Sequence, residues 1–209
     1  MKMKRIFLMT LLVMAVFNLF GQDGKTEKEF KKIKTLIFPV IKVKTTNSTE
    51  PSIELKGENT PVFRQIAGDL LCFYGINKGG HYELILQKQL PTNVGLDSLD
   101  QISRENLLNE IGSKTKIHKT NFGGIGFSCG GDNEAALLTL PEIWDMVKER
   151  IGNNIVFGVP SKDLIVFVNG DKETEIKGLQ DLINEVHSSG EKLLSKKLFV
   201  YRDGKISEK

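Results

Sequence analysis

The stretch Ile155-Val-Phe-Gly-Val-Pro-Ser-Lys-Asp-Leu-Ile-Val-Phe-Val168 decides the fold class. Two apolar runs, 155–159 and 164–168, are rich in the β-branched and aromatic side chains that suit a pleated surface, and Pro160-Ser-Lys-Asp163 between them has the chemistry of a tight turn. The expectation is an antiparallel hairpin. Working outward toward the N-terminus, Pro141 stands at a helix start and Ile143, Trp144, Val147 and Ile151 follow at helical spacing, with Gly152 ending the stripe. The apolar segment 135–140 before that proline reads as a further strand. Toward the C-terminus, Asn169-Gly170 breaks the second strand, and Ile176, Leu179, Leu182, Ile183 and Val186 predict an amphipathic helix. Residues 197–202 make a closing strand before the Asp203-Gly204 turn.

The N-terminal half repeats these themes more faintly. Residues 69–75 and 82–90 flank the turn-like Asn77-Lys-Gly-Gly80, and Tyr82, Leu84 and Leu86 alternate with Glu83 and Gln87, the period of a half-buried strand. Asp97 or Ser98 opens a helix carrying Leu99, Ile102, Leu107, Leu108 and Ile111, which closes at Gly112. Thr26 to Glu29 has capping-box spacing ahead of Phe30 and Ile33, so a short first helix is expected. Pro39 makes 36–43 an extended segment or edge strand, and 45–51 is a polar loop. Strand pairs on short turns with helices interspersed define an α+β fold: a mostly antiparallel or mixed β-sheet with three to four amphipathic helices packed on it.

The first residues have the layout of an export leader. Lys2, Lys4 and Arg5 precede an apolar run from Ile6 to Phe20, and Gly21 offers a small residue for cleavage. The run is shorter than the ~20 apolar residues a spanning helix needs, and a polar stretch follows it. Residues 1–21 are therefore read as a cleaved signal peptide and 22–209 as one domain, exported to the periplasm or medium. No cysteine near the end of the leader could carry a lipid, so no membrane anchoring is expected after cleavage. Three of the 29 basic residues lie in the leader and none of the 26 acidic ones do, which leaves the remainder balanced in charge. A basic excess confined to a leader gives no reason to expect a nucleic-acid partner.

Several segments together resemble a known family. Gly131-Asp-Asn-Glu-Ala-Ala-Leu-Leu138, Pro141-Glu-Ile-Trp144, Gly158-Val-Pro-Ser-Lys-Asp163, Leu194-Ser195 with Leu198-Phe199, and Arg202-Asp-Gly204 occur in the order and spacing of the YtpQ family, a domain of unknown function. Asp69-Leu-Leu-Cys-Phe-Tyr74, the helix over 99–111 and Ile37-Phe-Pro39 are similar to its middle section, so the likeness runs from about residue 35 to 205. It implies an α+β fold and brings no activity, cofactor or catalytic residue. Members of that family usually have a longer N-terminal portion and no export signal, and this chain departs from them there.

The candidate chemistry is sparse. Gly126-Phe-Ser128-Cys-Gly130 fits the nucleophile-elbow pattern, with Asp163 or Asp171 and then His187 following in the order of that triad. A serine hydroxyl needs an imidazole to take its proton and an acid to orient the ring. The competing reading is a glycine-rich loop. Cys129 is a second nucleophile candidate if something lowers its pKa. Cys72 and Cys129 are either one disulfide or two buried thiols. Asp132 and Glu134 are an acid and base pair, or else a solvated turn. His81, His118 and His187 are too scattered for metal ligation, and no phosphate or calcium loop is present, so no cofactor and no metal is expected. The function that follows is a non-catalytic binding or interaction module of the cell envelope, with an unknown protein or envelope component as partner. The alternative is a small extracytoplasmic hydrolase using the Gly126–Gly130 loop.

Overall fold

Proline lacks an amide hydrogen and so suits a strand with an unpaired side. The computed structural model, which describes residues 24, 26–44, 57–131 and 133–209, bears this out for Pro39; the leader over 1–21 and the loop expected over 45–51 lie outside the described residues. The fold is α+β and divides its strands between two antiparallel sheets. The small sheet contains β1 (Ile37–Val43), β2 (Phe63–Ala67), β3 (Leu70–Asn77) and β4 (Tyr82–Leu84). β1 is an outer strand along one side of β3, while β2 and β4 share the other side. The β3–β4 turn closes as the sequence suggests, with Gly79 N–H donating to Asn77 Oδ1 at 2.8 Å.

Alternation gives this sheet two unlike faces. Leu70, Cys72, Tyr74 and Ile76 are buried, and they point toward α2 (Leu96–Ile111) and the first helix, α1 (residues 26–33). The other face carries Lys42, Phe73 and Tyr82, all half-buried. Arg64 and Tyr74 tie the sheet to α2, since Tyr74 Oη donates to Asp100 and Arg64 Nε sits 2.7 Å from the same carboxylate.

The large sheet follows the order β10–β9–β7–β8–β6–β5, with β5 Lys116–Lys119, β6 Ile125–Ser128, β7 Ile155–Ser161, β8 Leu164–Asn169, β9 Leu198–Arg202 and β10 Lys205–Glu208. The expected hairpin is its centre. Its near-continuous apolar runs are explained by cover on both faces: α4 (Glu173–Ser189) on one, and α3 (Pro141–Ile151) with the 3₁₀ turn Ala135–Thr139 on the other. Gly158 lets α4 approach, because a Cβ there would stand 2.7 Å from Ile183 Cδ1. Pro160 is tolerated in a central strand because the β7–β8 register shifts between Gly158 and Ser161.

Four expectations need correcting. Within the expected strand over 135–140, Ala135–Thr139 form a 3₁₀ turn, since the chain folds back on Glu134 there. The strand expected over 82–90 ends at Leu84, and the fully buried side chain is Ile85, not its neighbours. Residue 24 is already helical, so the helix begins ahead of Thr26. The Asp203-Gly204 turn is followed by a further strand, β10, that the sequence reading missed.

Candidate functional site

Strand register brings Ser128 to a histidine, though not to the expected one. In the β5–β6 ladder Lys116 faces Ser128 and His118 faces Gly126, so His118 and Ser128 are diagonal neighbours on one face. Ser128 Oγ lies 2.6 Å from His118 Nε2. Neither of the expected acids bonds this pair, and nor does His187. Asp163 accepts a bond from Ser161 Oγ at 2.6 Å, and Asp171 accepts one from Asn154 Nδ2 at 2.7 Å. His187 lies on α4, its Nε2 buried without a partner among the described residues. Among the described residues no carboxylate bonds His118, which is exposed. A dyad in water with no orienting acid has the nucleophile and base of a hydrolase but lacks the third group.

Cys129 points the other way, into the core with Ile125 and Phe127. Its environment is the reverse of what a nucleophilic cysteine needs. Burial, then the charge of Glu134 and a hydrogen bond to it, push the thiol up to about 12. Burial chiefly, with the charge of Asp100 behind it, does the same to Cys72, also about 12. Both are free, buried thiols, so the buried-thiol alternative describes them and the disulfide does not.

Glu134 overturns the solvated-turn reading of its segment; Asp132, its expected partner, lies outside the described residues. The Glu134 carboxylate is 2% exposed and gathers the loop around itself. Its Oε1 accepts from Cys129 N–H at 2.8 Å and Gly131 N–H at 2.9 Å, and its Oε2 from Asn133 N–H at 3.0 Å. Gly130 and Gly131 supply the positive φ angles, 124° and 98°, that such a ring of amides requires. The loop is thus rigidly specified from within by one carboxylate.

That loop forms part of the wall of a cleft of about 560 Å³ beside β1. Lys42 comes from β1, Tyr82 from β4, Glu110 from the end of α2, Lys114 from the turn after it, and Cys129, Asn133 and Lys162 from the large-sheet half. Tyr82 Oη donates to Asn133 Oδ1 at 3.1 Å and so links the two halves across the wall. Lys162 is positioned by its backbone: its N–H donates to Lys192 O at 3.0 Å and its carbonyl accepts from Ala135 N–H at 3.0 Å. Sequence reasoning passed over both lysines. Some 120 positions separate them, and only the packing of the two sheets makes them neighbours.

Comparison with family models, with curated proteins and with solved structures returns no match to this chain. No helix among the described residues is long and apolar enough to cross a membrane.

Proposed function

We propose that this chain is an exported binding module of the YtpQ type that holds a component of the cell envelope in the cleft beside β1. The carrying observation is the cleft itself, of about 560 Å³ and walled by small-sheet strands on one side and by loops of the large-sheet half on the other. That volume is in the usual range for small-molecule sites, and the lining is mixed, with polar and charged groups such as Lys42, Tyr82, Asn133 and Lys162 beside the apolar Ile41, Ile111 and Ala136. The leader-like sequence at 1–21 and the charge balance of the remainder support export and argue against nucleic acid. Protein made from the full chain and recovered outside the cytoplasm is expected to have the mass of residues 22–209. When that product is ¹⁵N-labelled and titrated with small-molecule mixtures, amide shifts should concentrate at Lys42, Tyr82, Asn133 and Lys162. Shifts confined to other surfaces would remove the cleft from the proposal, and a product still carrying Lys2 would remove export.

The Ser128–His118 contact supports a second reading, a small hydrolase of the Gly126–Gly130 loop with His118 in the place first expected for His187. A fluorophosphonate probe separates the two. The binding reading expects no labelling of the folded protein. Labelling that disappears in both Ser128→Ala and His118→Ala would favour the hydrolase.

A further inference from the structure

We propose that the cleft takes a small organic dianion, a dicarboxylate or a phosphate monoester, held by the ammonium groups of Lys42 and Lys162. This rests on reading the cleft as the binding site and adds the chemical class of its occupant.

Two cations from opposite halves of the molecule line one concavity. Lys42 leaves the ladder of an outer strand, and Lys162 sits in the β7–β8 turn with both backbone groups bonded. Neither has an ion-pair partner among the described residues, although the surface pairs Lys31–Glu27, Lys32–Glu29 and Lys148–Asp145 show how readily lysines find one on this protein. Glu110, an acidic residue of the same lining, is already bonded to Lys114 at 2.7 Å, and Asp163 is bonded to Ser161. Burial first, and the like charge of Lys162 second, hold the Lys42 ammonium below its ordinary range. Two half-buried, mutually repelling ammonium groups are an unfavourable arrangement for the empty protein, and an anion between them relieves it. Tyr82 and Asn133 add hydrogen-bonding groups on the same wall, and Ile41, Ile111 and Ala136 give an apolar surface for a short carbon skeleton. A divalent anion matches this better than a monovalent one, because each ammonium then faces its own negative charge.

The arrangement also makes a clean variant available. A lysine whose folded-state pKa is depressed costs stability at every pH below that pKa, and the cost fades as pH rises toward the unfolded value. Lys42→Met removes the charge at nearly constant volume, so its melting temperature is expected to equal or exceed that of the parent.

Succinate and glucose 6-phosphate serve as dianion probes, with succinamide, glucose and putrescine as neutral and cationic counterparts, in the same ¹⁵N titration. The two dianions distinguish a carboxylate from a phosphate occupant. At least one is expected to shift cleft amides at concentrations where the counterparts do not. Lys42→Met and Lys162→Met should each weaken that binding about tenfold or more, with the fold unchanged. Equal binding of neutral or cationic probes in the cleft would overturn the dianion and leave the cleft reading standing. Dianion shifts that survive both substitutions would overturn it too, and the absence of any cleft response to every probe would sink both.

Discussion

Trp144→Ala is expected to destabilise the protein by about 3–5 kcal/mol, the usual range for deleting a buried large aromatic, and to lower the melting temperature by about 10 °C. Trp144 stands on α3 with 5% exposure and meets aromatic rings on several sides. It stacks on Tyr201 at 4.1 Å between centroids and meets Phe157 and Phe167 edge-on at 5.2 and 5.5 Å. Its indole N–H donates to Leu138 O at 2.9 Å, which pins the 3₁₀ turn to the helix that follows it. Truncation opens a cavity where α3 meets β7, β8 and β9, and it leaves the Leu138 carbonyl without that donor. Trp144→Phe keeps part of the ring contact but loses the donor and one ring's volume, so an intermediate loss of about 2–3 kcal/mol is expected from it. Urea unfolding followed by circular dichroism measures both. A loss below about 1 kcal/mol for the alanine variant would mean that this cluster does not organise the core.

The same region shows what a sequence can and cannot disclose. The β7–β8 hairpin and helices α3 and α4 were readable because their signals are local: continuous apolar runs around a turn, and stripes at helical spacing. Pro39 announced an edge strand by its missing amide. Residues 135–140 were misread because a short apolar run before a proline has no period that separates a strand from a tight helix. What decides the matter is Glu134, whose carboxylate finds three amides by a loop closure that no local pattern encodes. The Ser128–His118 contact depends on the β5–β6 register, which places residues ten apart on a diagonal. The elbow motif pairs Ser128 with His187, whereas the ladder sets His118 beside it, because the motif assumes a triad order and not this register. Lys42 and Lys162 were invisible for a more basic reason: each is an ordinary lysine until two sheets meet, and no motif spans that distance.

Glu134→Ala is expected to cost about 3–4 kcal/mol, comparable to the loss of Trp144. Three amide hydrogens converge on this buried carboxylate, and each orphaned buried donor costs about 1–3 kcal/mol, less than additively because two of the amides are only part-buried and the loop can relax. Glu134→Gln is the informative companion. It retains the volume and one carbonyl oxygen, so the Cys129 and Gly131 amides keep their acceptor while the Asn133 amide meets an NH₂ group. About 1–2 kcal/mol is expected from that mismatch. Fluorescence of Trp144, the only tryptophan in the chain, follows the unfolding of both variants. A second readout is specific to the charge. Burial remains the larger cause of the raised Cys129 pKa, but the glutamine removes the contribution of Glu134, so the pKa moves down toward the ordinary 9.0 and alkylation by iodoacetamide at pH 8 should quicken relative to the parent. An unchanged alkylation rate would mean that the carboxylate does not act on the thiol. Because Cys129, Gly130 and Asn133 also line the cleft, the alanine variant should lose dianion binding together with stability. Lys42→Met should lose binding alone, and the contrast separates a residue that builds the wall from one that holds the ligand.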